Sequence, residues 1–280
     1  YTIDVNSNQL DWNFAYYWLK NHELKLLSDQ QKGGIPAVSK KQVENFPIPI
    51  PPLPVQNEIV RILDNFTELT AELTAELTAR RKQYEYYRDS LLTFGDDVPK
   101  VKLSEVAVIS AGGDLPKKYL KGQKTPSKEF PYPIYSNGTG DGALYGFTDG
   151  YKIEKDAVTI SARGTIGHHK VRKGKFTPIV RLITLIPYED IIATKFLNYA
   201  LYLAKIEGVE TGIPSLTVPM LKTFTIPLPS LDEQSRIIEI LDRFDTLCND
   251  ISSGLPAEID ARQKQYEYYR DKLLNFKELS

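Results

Sequence analysis

Cysteine is nearly missing from this chain: Cys248 is the only one among 280 residues. One thiol excludes a disulfide framework and a cysteine-based zinc site, and it fits a reducing cytosol. Its helical apolar position marks it as a packing residue. Histidine is scarce too, with three in all. The adjacent pair His168 and His169 would point to opposite faces of a strand, which suits packing or DNA contact better than joint ligation of one metal. No stretch approaches the roughly 20 apolar residues of a membrane span, and no charged-then-apolar leader opens the chain. The first residue is Tyr1 rather than Met, as in a sequence that begins inside a longer protein.

Catalytic signatures are wanting as well. There is no H-E-x-x-H, no G-x-S-x-G and no plausible Cys-His pairing. Neither Arg163-Gly164-Thr165-Ile166-Gly167 nor Gly174-Lys175-Phe176-Thr177 satisfies the phosphate-loop pattern G-x-x-x-x-G-K-S/T. Ile50-Pro51-Pro52-Leu53 lacks the polar first and aromatic last residues of an adenine methyltransferase motif. The expectation is a chain with no catalytic residue, metal or cofactor of its own.

What is present is a core-forming composition, 41% hydrophobic and 25% charged, suited to one or two folded domains. The net charge of −1 argues weakly against nucleic-acid binding, yet it averages over an uneven distribution. Residues 98–182 hold 15 Lys or Arg against 7 Asp or Glu, a surplus of 15 − 7 = 8 positive charges.

The chain also repeats itself. Gly34-Ile35-Pro36-Ala37 returns as Gly212-Ile213-Pro214-Ser215, 178 residues on. At the same offset Gln56, Ile59, Ile62, Leu63, Asp64 and Phe66 match Gln234, Ile237, Ile240, Leu241, Asp242 and Phe244. At an offset of 182, Phe14, Tyr17 and Leu19 match Phe196, Tyr199 and Leu201, and residues 82–89 match 264–271. Each copy reads as the end of a globular lobe, a proline-rich turn and a long helix.

Both helices carry a three-and-four apolar seam. The first runs through Ile59, Leu63, Phe66, Leu73, Leu77, Tyr84, Tyr87, Leu91 and Phe94; the second runs through Ile237, Leu241, Phe244, Cys248 and Ile251. After Gly254 and Pro256, which should end one helix and begin another, the second seam resumes at Ile259, Tyr266, Tyr269, Leu273 and Phe276. Antiparallel packing along the seams is the simplest arrangement. Thr70-Ala71-Glu72-Leu73 and Thr74-Ala75-Glu76-Leu77 form a tandem whose unit adds about 6 Å of helix and turns the face by about 40°. That pattern suits a ruler, and equally a generic helix of good formers.

Between the helices, short apolar strands such as 157–162 and many turns point to an α+β lobe, with a helical patch near 193–205. Arg163, Lys170, Arg172, Lys173, Lys175 and Arg181 follow that strand with His168 and His169 and no acid between them. Such a density of cations neutralises phosphates, and arginines can reach base edges; a solvated basic loop is the bland reading. Ser136, Asn137, Thr139 and Thr165 supply hydrogen-bonding groups beside glycines that admit close approach, although a plain turn explains Ser136 to Gly140 nearly as well. These twelve residues are the candidate DNA contacts. Leu63, Phe66, Leu73, Leu77, Tyr84, Tyr87, Leu241, Phe244, Tyr266 and Tyr269 are the candidate helix and partner contacts.

The doubled Ile-Pro-x-Pro turns lead into Gln56-Asn57-Glu58-Ile59-Val60-Arg61-Ile62-Leu63-Asp64 and Glu233-Gln234-Ser235-Arg236-Ile237-Ile238-Glu239-Ile240-Leu241-Asp242. With the Thr-Ala-Glu-Leu tandem and two Gln-Tyr-Glu-Tyr-Tyr-Arg-Asp segments, the whole chain resembles the DNA specificity subunit of type I restriction-modification systems. The resemblance implies an α+β fold in which target-recognition domains with a mixed sheet are held apart by two long helices packed as an antiparallel coiled coil. It divides the chain into 1–51, the C-terminal remnant of a first recognition domain; 52–97, a spacer helix; 98–229, a full second recognition domain; and 230–280, a second spacer helix broken near 253–256.

The implied function is non-catalytic reading of one half of a bipartite DNA site, with the helices as spacer and docking platform. The implied partners are double-stranded DNA, two adenine-N6 methyltransferase subunits and a restriction subunit, with S-adenosylmethionine, ATP and Mg on those partners only. The implied setting is the prokaryotic cytoplasm, away from membranes. Two copies pairing through the helices would favour a palindromic site. Against this stand a coiled-coil scaffold that binds no DNA and a free-standing methyltransferase, which the missing motif disfavours.

Overall fold

The computed structural model describes residues 4–5, 7–28, 38–204, 206, 215–250 and 252–276. The repeat ends at 34–37 and 212–214, Ile251 of the second seam and Lys205 of the helical patch lie outside these. Nine α-helices and ten strands are found among the described residues. In chain order the first helices are α1 Trp12–Asn21, α2 Glu23–Ser28, α3 Lys40–Glu44 and α4 Leu53–Leu92. The lobe that follows comprises β1 Lys100–Lys102, α5 Leu103–Val106, β2 Ala107–Ala111, β3 Tyr119–Lys121, β4 Tyr132–Tyr135, β5 Leu144–Thr148, β6 Ala157–Ser161, β7 His169–Arg172, β8 Thr177–Pro178 and β9 Leu182–Pro187. Then come α6 Thr194–Ala200, α7 Val218–Thr223, β10 Thr225–Pro227, α8 Leu231–Asn249 and α9 Leu255–Leu273. The chain divides into two compact units, 1–82 with 245–280 and 83–244, so the division falls within α4 and α8 rather than at their ends.

In the first unit, Asp11 caps α1 by accepting from Phe14 N–H, which leaves Phe14, Tyr17 and Trp18 facing a core with Ile59, Val60, Leu63 and Leu274. Ile59 and Leu63 of α4 share a core with Leu273 and Leu274 at the end of α9, and Phe66, further along α4, meets Tyr269, earlier in α9, so the two helices run antiparallel. Phe66 stacks on Tyr269 with centroids 5.5 Å apart. Gly254 stands before α9, and Pro256 lies in its first turn, where a missing N–H costs nothing. A Cβ on Gly254 would lie 2.5 Å from the Thr246 carbonyl, so only glycine lets the turn close on the end of α8.

The second unit is built on two four-stranded sheets. One is antiparallel in the order β2-β9-β6-β7; the other, β3-β5-β4-β8, is mixed because β4 and β8 run parallel. A ribbon of β1 and β10 accompanies them. In β6, Val158 and Ile160 alternate with Thr159 and Ser161, so one face is apolar. That face joins Ile183 and Leu185 of β9 against Phe196 and Leu197 of α6, Leu92 of α4, and Ile237 and Leu241 of α8. Tyr87 stacks on Phe244 with centroids 5.5 Å apart, the repeat counterpart of the Phe66–Tyr269 stack.

The repeat recurs as a buried hydrogen-bond clasp. Gln56 accepts from Asp11 N–H at 2.7 Å and donates to the Gln9 and Pro51 carbonyls at 2.8 and 2.6 Å. Gln234 accepts from Ala193 N–H at 2.9 Å and donates to the Ile191 and Pro229 carbonyls at 3.1 and 2.9 Å. Both side chains are fully buried. Tyr17 and Tyr199 likewise donate to Asp64 and Asp242. Burial, and then the carboxylate partner, push the Tyr17 hydroxyl up to about 12. Replacing Gln234 by Leu strands three buried backbone groups, and we expect a stability loss of about 2–4 kcal/mol in chemical denaturation. A loss under about 0.5 kcal/mol would show that the clasp is ornamental.

Candidate nucleic-acid interface

Three loops meet at one end of the β6–β7 hairpin. After β4, Asn137 donates through Nδ2 to the Arg163 carbonyl at 2.8 Å, while its own carbonyl accepts from Ser161 Oγ at 3.1 Å and Thr165 Oγ1 at 2.7 Å. These bonds tie the 136–139 loop to the turn that carries Arg163 and Thr165. A third segment joins through Ala162 N–H, which donates to the Arg181 carbonyl at 2.8 Å. Arg163 and Arg181 then line one concavity with Ser215 and Thr217.

Arg181 is the only non-glycine with positive φ among the described residues, at 73°. A left-handed backbone costs an L-residue roughly 1–2 kcal/mol, so its surroundings must impose it. They do so through main-chain bonds. Leu182 N–H closes the turn on the Ile179 carbonyl at 3.3 Å, Ile179 N–H donates to Tyr135, and Gly112 N–H donates to Leu182 at 2.7 Å. A Cβ on Gly112 would sit 2.2 Å from the Ile179 carbonyl, so glycine there admits the close approach.

The structure brings together Ser136, Asn137, Arg163, Thr165 and Arg181, with Thr139 exposed on the 136–139 loop and His168 at the close of the hairpin turn. Lys170 is exposed on the edge strand β7. The remaining basic candidates need correction. Arg172 shares a face of β7 with the exposed Lys170, but it is buried: its guanidinium lies 4.0 Å from the Tyr135 ring centroid of β4, and its Nε donates to Thr159 Oγ1. His169 is half-buried against α6, bonded to Asn198 and edge-on to Tyr202.

Lys173 and Lys175 lie at the other end of the strand pair, since Ala157 pairs with Arg172 and Ile160 with His169. There they meet Asp156 at 3.8 Å and Glu154 at 3.4 Å. The run that holds no acid in sequence therefore has two acids beside it in space, and the cations divide between two places. Neither the strained turn at Arg181 nor the role of Asn137 as a hub is evident in the sequence. No local signal marks the first; the polar 136–139 loop hinted at the second.

Among the described residues, no group of three or more His, Cys, Asp or Glu is placed to hold a metal, and no helix is long and apolar enough to cross a membrane. The family profile described as "Type I restriction modification DNA specificity domain" matches residues 1–80 and 95–261. The chain belongs to this type I DNA specificity family. Its relatives include the specificity subunit of the Escherichia coli type I restriction enzyme EcoR124I/EcoR124II, 35% identical over 97% of this chain and 72% of that protein. A Mycoplasma pneumoniae protein named as a type I specificity subunit is 34% identical over 98% of this chain and 85% of its own length. In fold, this specificity-family chain resembles the type I restriction-modification S subunit from M. genitalium, with a TM-score of 0.58 at 20% identity, covering 97% of this chain and 74% of that one.

Burial lowers the pKa of His169, opposed by its bond to Asn198 and aided by His168 and Arg88. His168 is lowered too, by desolvation and then by Arg172 and Lys170. With both folded values below the ordinary 6.5, the unfolded chain binds protons first. Stability from this source is complete above pH 6.5 and falls as the pH drops below it. Denaturation midpoints from pH 7.5 to 5 should decline in the wild type and decline less in His169→Phe; equal slopes would remove His169 from the account.

Proposed function

We propose that this chain is the non-catalytic, sequence-reading component of a type I restriction-modification complex, reading one half of a bipartite double-stranded DNA site through the lobe of residues 98–229. The observation that carries this reading is the cluster of backbone-pinned loops from which Arg163 and Arg181 project, in a chain of the DNA specificity family. Neither arginine has a carboxylate within ion-pair distance among the described residues, unlike Lys173 and Lys175. Cations free of internal partners are available to phosphates and base edges.

Catalysis then resides in partners: two adenine-N6 methyltransferase subunits using S-adenosylmethionine, and a restriction subunit using ATP and Mg. Support for two like partners comes from the repeat, which exposes Tyr86 and Tyr87 in one unit and Tyr268 and Tyr269 in the other. Exposed aromatic pairs in duplicate suit duplicate docking surfaces. Pairing of two copies of this chain is the second reading, favoured by the duplicated seam; it predicts a palindromic methylated site.

Gel-shift titration of the chain with its methyltransferase should give binding whose logarithm falls linearly with the logarithm of salt, and Arg163→Ala should reduce that slope by about one. Absent or salt-insensitive binding would overturn the reading.

The tandem repeat supports the spacer role. Thr70, Thr74 and Thr78 each donate to the carbonyl four residues back, so one register repeats along α4. Deleting residues 74–77 removes about 6 Å of helix, and the gap between methylated half-sites should shorten by one or two base pairs at about 3.4 Å per step. A methylation map with unchanged spacing would count against the ruler.

A further inference from the structure

The turn at residues 179–182 places an arginine where the backbone prefers glycine or asparagine. A cation meant only to neutralise a phosphate needs no such placement, because phosphate accepts donors from many directions, and an exposed neighbour such as Val180 would serve without strain. Recognition of a base edge is more exacting, since a bidentate guanidinium must meet two acceptors in one plane. Four main-chain bonds hold the segment in place: Ile179 to Tyr135, Leu182 to Ile179, Gly112 to Leu182 and Ala162 to the Arg181 carbonyl. The start of the Arg181 side chain is thus set by backbone on both sides, and backbone so constrained beside a candidate site is an outlier that asks for a functional reason.

We infer that Arg181 is a specificity-determining residue that reads guanine, pairing its guanidinium with O6 and N7 in the major groove. Arg163, on the adjoining turn and lining the same concavity, steadies the neighbouring phosphate. The inference rests on the proposed DNA-reading role and adds to it a named base and a named reader. Val180, exposed at the tip of the turn, supplies an apolar contact beside the base.

The test uses the full chain with its methyltransferase subunits. Methylated adenines are mapped in cells carrying wild type, Arg181→Gly or Arg181→Gln, and binding is then measured on duplexes bearing the wild-type motif or single base-pair changes within it. Arg181→Gly suits the left-handed backbone and is expected to fold, which a thermal melt checks. Arg181→Gln tests recoding, because a carboxamide matches adenine.

The expected result is a guanine in the half-site whose identity alone ceases to matter in Arg181→Gly. Affinity for the wild-type duplex should drop roughly 10- to 100-fold, with no further loss when that guanine is replaced. Arg181→Gln should relax that position or shift it to adenine. An unchanged motif in both variants, or a uniform loss on every duplex, overturns the guanine reading and leaves the DNA-recognition role standing. Failure of the wild-type complex to bind DNA overturns that role, and this inference with it.

Discussion

Burying a carboxamide is unfavourable unless each of its donors and acceptors finds a partner, and the two buried glutamines meet that condition in the same way. Gln56 and Gln234 each gather one N–H from the start of a lobe helix, one carbonyl just before it, and one carbonyl from the proline turn ahead of a long helix. Losing any of these contacts leaves buried polar groups unpaired. The clasp therefore determines where each lobe segment meets its helix, and the adjoining Tyr–Asp bonds and Phe–Tyr stacks repeat around it. The duplication is thus physical as well as textual.

The same economy of placement governs the loops. Asn137 ties two of them together, its side-chain amide donating to the Arg163 carbonyl and its main-chain carbonyl accepting from the Ser161 and Thr165 hydroxyls, and main-chain bonds hold the strained turn at Arg181. Projecting arginines from irregular but pinned backbone reconciles two demands: side chains must reach out from the sheets, yet arrive in one geometry. Family membership places these loops in a chain of the DNA specificity class, and the deeper strands and helices supply the rigidity behind them.

Much was legible in the one-dimensional pattern because it depends on local rules. The two long helices, their seams and the stop at Gly254-Pro256 follow from helical periodicity and backbone chemistry, and the residue-by-residue repeat alone sets Gln56 against Gln234. The scarcity of cysteine and histidine, and the absence of catalytic motifs, narrowed the chemistry. Strand β6 showed as a short apolar run over 157–162.

What the sequence could not decide was which charges share a surface. Arg163, Arg172 and Lys175 sit in one basic run, but strand pairing sends them to a loop, an interior and the opposite end of a hairpin. What covers a strand face depends on elements distant in sequence: Lys170 and Arg172 share one face of β7, yet Arg172 lies over the Tyr135 ring and is buried while Lys170 is exposed. Arg181 shows the same limit. Its left-handed backbone arises from main-chain bonds to Ala162 and within its own turn, while Gly112 and Tyr135 brace the turn's ends, and no reading of neighbouring residues could supply it. The sequence by itself determined the repeated framework and the family; only the tertiary structure decided which of its many cations face outward from fixed positions.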